Sequence, residues 1–148
     1  MWLDEDACYV PQLGSSPVPA MERPATPGPM RRLLIVDDEQ KVCECLKLFF
    51  NDKGFETSCA NTGGEAVERL MDQQPDLVLL DIGLPDVSGI EVLKRARELA
   101  PYARVYMVTA HTDEDSEVEA KVYGAMGYIT KPFDFSDVTW APVFGDPN

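Results

Sequence analysis

From Met30 onward the chain alternates between short unbroken apolar runs and longer stretches in which apolar residues return every three or four positions. The runs Leu33-Leu34-Ile35-Val36, Leu77-Val78-Leu79-Leu80 and Val105-Tyr106-Met107-Val108 predict three strands. Residues 55–59 and 128–130 predict two shorter ones. Val42, Cys45, Leu46, Phe49 and Phe50 recur at helical spacing, and Gly54 stops that helix. Thr62-Gly63-Gly64-Glu65 forms a capping box ahead of Ala66, Val67, Leu70 and Met71. Ser88-Gly89-Ile90-Glu91 forms a second, ahead of Val92, Leu93, Ala96 and Leu99. A weaker, acidic helix over residues 113–123 carries Val118 and Val122 four apart.

Strands alternating with helices imply a parallel sheet with helices on both faces. The continuous apolar character of three strands fits a sheet covered on both sides. The fifth helix is expected to be short. It starts at Asp134-Phe135-Ser136-Asp137-Val138, but Pro142 is expected to break it. Trp140, Val143 and Phe144 would then cover the sheet as a non-helical flap, unless another chain covers it.

Composition changes the picture at the N-terminus. Six of the twelve prolines (Pro11, Pro17, Pro19, Pro24, Pro27 and Pro29) lie in residues 1–29, with no apolar period. This reads as a disordered arm, with a folded unit over residues 30–141 and a tail over 142–148. The 148 residues and 45% hydrophobic content suit one domain. No stretch resembles a membrane span or a signal peptide, so a cytoplasmic protein is expected. The net charge of −13 argues against non-specific nucleic-acid binding by this segment. Cys8, Cys43, Cys45 and Cys59 have no zinc spacing and read as reduced thiols.

The candidate chemistry lies where the apolar runs end. The first runs into Asp37-Asp38, the next into Asp81, the next into Thr109, and the last into Lys131-Pro132. In a parallel sheet these groups share the carboxyl edge, where open α/β folds place ligands. A carboxylate can attack phosphorus and form an acyl phosphate, but anion must then approach anion. Mg²⁺, bound by one or two carboxylates, relieves that repulsion. Asp37 and Asp38 supply such ligands, and Asp81 can both bind metal and attack. Lys131 offers positive charge and Thr109 a hydroxyl. Each residue alone has a dull reading: a solvated strand end, a turn acid, a surface lysine, or half-buried packing for Tyr128.

Together, Val36-Asp37-Asp38-Glu39, Leu80-Asp81-Ile82-Gly83-Leu84-Pro85 with Gly89, Val108-Thr109-Ala110 and Gly127-Tyr128-Ile129-Thr130-Lys131-Pro132-Phe133 resemble the receiver domain of two-component response regulators, the CheY-like superfamily. The likeness covers residues 30–138. It implies a flavodoxin-like (βα)5 fold, doubly wound, with five parallel strands in order 2-1-3-4-5. It implies that Asp81 takes a phosphoryl group from a histidine kinase or phosphotransfer protein in a phosphorelay. Asp37, Asp38 and Asp81 would hold Mg²⁺ with the backbone carbonyl of Gly83. Lys131 would pair with the phosphoryl group, with a cis Lys131-Pro132 bond. Thr109 and Tyr128 match the switch pair, and a downstream effector would read the changed surface. A homodimer through the face of the fourth and fifth helices is compatible with it. His111, the only histidine, reads as an exposed loop residue, yet its position borders the site, and the hypothesis is that it tunes hydrolysis while Gly83 leaves room for water.

Two other readings compete. A haloacid-dehalogenase-type phosphatase also uses an Asp nucleophile with Mg²⁺, but needs an acid two residues on, where this chain has Gly83. Asp86 lies further along that loop. A receiver-like module that works unphosphorylated is the other, against which the full set of acids, Thr and Lys argues. There is no P-loop and no dinucleotide glycine fingerprint. With no effector segment apparent, the chain reads as either a single-domain regulator or a piece of a longer one.

Overall fold

The computed structural model describes residues 31–111 and 113–144. The expected arm over residues 1–29 lies outside them, as does the end of the chain from residue 145. Five strands, β1 (Arg31–Val36), β2 (Phe55–Ala60), β3 (Leu77–Leu80), β4 (Arg104–Thr109) and β5 (Gly127–Thr130), alternate with five helices. The helices are α1 (Gln40–Asp52), α2 (Gly63–Gln73), α3 (Gly89–Leu99), α4 (Glu114–Val122) and α5 (Asp137–Phe144). All strand pairs are parallel, in the order β2-β1-β3-β4-β5. This is the flavodoxin-like order implied by the sequence.

Because side chains alternate along a strand, each apolar run feeds two cores. Leu34, Val36, Val78, Leu80, Val105 and Met107 face one cluster with Ala66, Leu70, Leu93 and Ala96 from α2 and α3. Leu33, Ile35, Leu77, Leu79, Tyr106 and Val108 face the other, with Leu46 and Phe50 from α1 and Trp140 and Val143 from α5. Burial on both faces accounts for the absence of polar alternation in β3 and β4.

Thr62 and Ser88 cap their helices as expected, but neither closes a full capping box: the Glu65 side chain accepts from the Asn61 N–H and that of Glu91 pairs with Lys94. Thr62 Oγ1 accepts from the Glu65 N–H, and Ser88 Oγ accepts from the Ile90 N–H. Gly54 follows the last turn of α1 with a φ of +96°, and open space surrounds the place a Cβ would take. Gly54→Ala is therefore expected to cost roughly 1–2 kcal/mol through backbone strain alone, read from urea denaturation.

Three expectations need correction. In α1 it is Cys43, not Cys45, that is buried; Cys45 points to solvent. In α4, Val118 and Val122 are exposed and Ala120 is the buried residue. The expected break at Pro142 does not occur, and no flap forms: Pro142 lies inside α5. The missing N–H deprives only the carbonyl four residues earlier, at Val138, which is 86% exposed and open to water. Trp140 and Val143 are fully buried. Trp140 packs edge-on against Phe50 and Phe133, with ring centroids 5.5 and 5.3 Å away. Side chains of β4 hold the last turn: Tyr106 Oη donates to the Pro142 carbonyl at 2.9 Å and Arg104 to that of Val143 at 3.2 Å. Aromatic packing and these bonds replace the length that α5 lacks.

Candidate functional site

The strand register brings the candidate residues together. Val36 of β1 pairs with Leu80 of β3, so Asp37 and Asp81, one residue beyond each, leave the sheet side by side. The ladder continues past both: the Asp81 N–H donates to the Val36 carbonyl and the Asp37 N–H to the Ala60 carbonyl, each at 3.0 Å. Thr109 pairs with Thr130, and the Lys131 N–H donates to the Thr109 carbonyl at 2.9 Å. Each side chain thus projects from an ordered strand end. The Lys131-Pro132 bond is cis.

At the centre is the Lys131 ammonium. Its three donors meet three carboxylates: Asp37 Oδ2 at 2.7 Å, Asp81 Oδ2 at 2.9 Å and Glu39 Oε1 at 3.2 Å. Asp37 and Asp81 are buried, while Asp38 is exposed. Burial is the largest influence on the Asp37 carboxyl and holds it above the usual range, although Lys131 and the Glu39 N–H oppose it. Burial also raises Asp81, but the Thr109 hydroxyl, Lys131 and the Gly83 N–H together outweigh it and hold Asp81 below the usual range. Lys131 is partly desolvated, yet its two acidic partners push it upward on balance. The site thus favours Asp81 as a carboxylate and Lys131 as an ammonium, while burial works against ionisation of Asp37.

A divalent cation fits this donor set. Oxygens of Asp37, Asp38 and Asp81 lie within 4.8 Å of one another. Among the described residues, Lys131 is the one salt-bridge partner of Asp37, Asp81 and Glu39, so negative charge remains in excess. Hard carboxylate oxygens, one of them exposed to solvent, suit Mg²⁺ or Ca²⁺ rather than a thiol-seeking metal.

Thr109 is fully buried at the end of β4, and its Oγ1 also accepts from the His111 N–H at 3.1 Å. Tyr128 is half-buried, and its hydroxyl donates to the His111 carbonyl at 2.8 Å. The His111 side chain is exposed but turns toward the site: its Nε2 lies 3.0 Å from where a Cβ on Gly83 would be. Every sequence-derived candidate thus falls on one edge of the sheet.

Sequence reasoning missed Glu39 and Asn61. Glu39 completes the coordination of the Lys131 ammonium; its signal was adjacency to Asp37-Asp38. Asn61 Nδ2 donates to the Asp37 carbonyl at 2.8 Å; its signal was its place just after β2, at the same edge.

The fold and this arrangement of acids, hydroxyl and lysine define a class, and comparison with known proteins gives it a family. The chain matches the response regulator receiver domain over residues 33–141 and belongs to that family. It is 41% identical over 109 residues to the regulatory protein AtoC of Escherichia coli K12, covering 74% of this chain and 24% of that protein. It is 37% identical over 107 residues to the sporulation initiation phosphotransferase F of Bacillus subtilis 168, covering 72% of this chain and 86% of that protein. The chain thus spans about a quarter of the first relative and most of the second. A crystal structure of a CheY-like receiver domain protein from Methanospirillum hungatei JF-1 superposes with a TM-score of 0.74 at 32% identity, over 79% of this chain and 94% of that one.

Proposed function

We propose that this chain is a phosphoacceptor signalling domain in which Asp81 takes a phosphoryl group from the phosphohistidine of a histidine kinase or phosphotransfer protein. The observation that carries this reading is the convergence of Asp37, Asp38 and Asp81 around the Lys131 ammonium on one sheet edge. An Asp81 oxygen attacks phosphorus, the phosphorus–nitrogen bond breaks, and the imidazole leaves with that electron pair. Asp37, Asp38, Asp81 and the Gly83 carbonyl would hold Mg²⁺, which would supply charge neutralisation for the incoming phosphoryl group. Lys131 already contacts Asp81 Oδ2 and turns to a phosphoryl oxygen as the acyl phosphate forms. Its bonds to Asp37 and Glu39 keep it in place meanwhile. Thr109, beside the Asp81 carboxyl, donates its hydroxyl to another phosphoryl oxygen.

Output follows from the same contacts. Moving Thr109 toward the phosphate withdraws the acceptor of the His111 N–H, and Tyr128 holds the carbonyl of that same residue. The loop between β4 and α4 is therefore tied to both switch residues, and their movement resets the surface of α4, β5 and α5 for an effector or a second copy. The relative named a phosphotransferase favours a place in a phosphorelay, and the relatives named regulatory proteins favour control of a downstream effector. The reading carries with it a cytoplasmic location; no helix among the described residues is long and apolar enough to cross a membrane. It also carries the division into an upstream arm and a receiver unit, the unit extended to Phe144 by α5. The phosphatase reading loses its acid, because the Asp86 carboxylate is committed to backbone N–H groups of α2.

The test is intact mass after incubation with Mg²⁺ and a small acyl phosphate. A gain of one phosphoryl group supports the reading, while no gain points to a module that works unphosphorylated. Sustained release of phosphate from a phosphomonoester points to a phosphatase. The same assay examines His111. Its imidazole Nε2 stands over Gly83, two residues from Asp81. His111→Ala is expected to change the phosphate half-life without changing the site of phosphorylation, and equal half-lives exclude that role.

A further inference from the structure

We propose that Asp86 is a positioning residue for the strand-edge site: its carboxylate clamps the loop between β3 and α3 onto the first turn of α2, and so fixes Gly83 and Asp81 for a divalent cation. The proposal rests on the metal-dependent reading above.

Asp81 and Ile82 root the start of that loop in the sheet edge and the core, and Leu84 packs on the same core, but beyond Leu84 little else holds the loop against the body of the protein. Gly83 and residues 85–88 are exposed, and Leu84 is the one half-buried residue between them. The other bonds close the loop on itself. Gly83 bridges Ser88, the Leu84 N–H donates to the Ile82 carbonyl at 3.0 Å, and the Gly89 N–H donates to it at 2.8 Å. The Gly83 N–H donates to Asp81 Oδ1 at 3.1 Å, so a shift of Gly83 is felt directly by the phosphoacceptor.

Asp86 makes the outward tie. Its Oδ1 accepts from the Gly63 N–H at 2.8 Å and its Oδ2 from the Gly64 N–H at 2.9 Å. These donors open α2 and have no carbonyl within the helix to serve. The Thr62 cap takes the next, the Glu65 N–H, at 3.0 Å. The first turn is thus divided: a local cap satisfies one donor, and a residue of the distant loop satisfies two. Charge suits the arrangement, since a carboxylate meets the positive end of the helix. The two amides hold the Asp86 carboxyl below its usual range, so it stays ionised. Steric fit agrees. A Cβ on Gly63 would collide with Val87 Cγ2, so a glycine stands where the loop lands. Two residues separate Asp86 from Gly83, too few to absorb a displacement of one without moving the other.

The test compares full-length wild type with Asp86→Ala, Asp86→Asn and Thr62→Ala. Mg²⁺ affinity is read by titration calorimetry, and loop order by amide hydrogen exchange in the metal-free protein. Asp86→Ala is expected to raise the Mg²⁺ Kd about tenfold, the scale of lost support for metal ligands. It is also expected to speed exchange at Gly83 and Leu84. Asp86→Asn keeps one acceptor and turns an amide donor toward the second N–H, and is expected to fall between. Thr62→Ala weakens the same helix end without touching the loop, and is expected to leave both readouts unchanged while lowering the unfolding midpoint. Wild-type Mg²⁺ affinity in Asp86→Ala overturns the proposal, and so does equal weakening in Thr62→Ala, because Asp86 is then only a helix cap. If wild type itself binds no Mg²⁺, the metal-dependent reading fails, and unchanged loop exchange in Asp86→Ala separately rejects the clamp.

Discussion

Asp81→Asn is expected to abolish the phosphoryl gain that the wild-type chain shows with Mg²⁺ and an acyl phosphate. The substitution keeps the shape of the side chain and replaces a carboxylate nucleophile with an amide, whose oxygen forms no stable acyl phosphate. It also takes the negative charge from one of three candidate metal ligands and from one partner of Lys131. A lost ligand alone slows the reaction; a lost nucleophile ends it. Asp38→Asn separates the two effects, since Asp38 belongs to the acidic cluster but is exposed and lacks the Lys131 contact. That variant is expected to be phosphorylated more slowly and to reach the same final mass. The wild-type product should be released by hydroxylamine, as acyl phosphates are and phosphoserine is not. A residual gain in Asp81→Asn that hydroxylamine removes would move the acceptor to Asp37, the other buried carboxylate on Lys131.

The sequence carried this site so clearly because parallel strands turn a linear feature into a spatial one. Apolar runs that end in Asp37, Asp81, Thr109 and Lys131 need only regular register to bring those ends together, and the ladder supplies it. What escaped depended on contacts that no local period encodes. Glu39 and Asn61 act through Lys131 and the Asp37 carbonyl, partners distant in sequence. Asp86 reads as one more loop acid until α2 is seen to start on it. The α1 error was one of phase: Cys43 and Cys45 straddle the edge of the apolar face, and only packing against β2 and α5 decides which turns inward. In α4, so short and acidic a helix leaves no dominant stripe, and the small Ala120 is what fits beneath it. Pro142 carries an interior cost that the local sequence shows, whereas burial of Trp140 and Val143 on either side outweighs one lost bond at a solvated carbonyl.

Lys131→Ala is expected to cost both chemistry and stability, and the stability cost should depend on pH. In the metal-free protein Lys131 is the shared cation of two carboxylates that are 3% and 8% exposed. Removing one member of such a buried cluster leaves uncompensated charge and typically costs about 3–5 kcal/mol, with the lower end expected here because Lys131 keeps 13% of its side-chain surface. The sign follows from the pKa directions. Asp81 lies below its usual value in the folded protein, so it stabilises above that value and loses the contribution as pH falls through the folded one. Asp37 lies above its usual value, so its ionisation burdens the fold increasingly as pH rises through the mildly acidic range. Lys131 is raised, so its own contribution persists through neutral pH and is lost only in strong alkali. Without the ammonium both carboxyls move upward: Asp81 gives up stabilisation and Asp37 becomes more costly to ionise. The gap between wild type and Lys131→Ala in urea denaturation should therefore narrow as pH falls below about 4, the ordinary aspartate range, and widen toward about pH 7. Mg²⁺ at neutral pH should narrow it, because a divalent cation on the same acids replaces part of the missing charge. A gap that is constant with pH and indifferent to Mg²⁺ would assign the loss to side-chain packing and remove Lys131 from the electrostatic centre of the site.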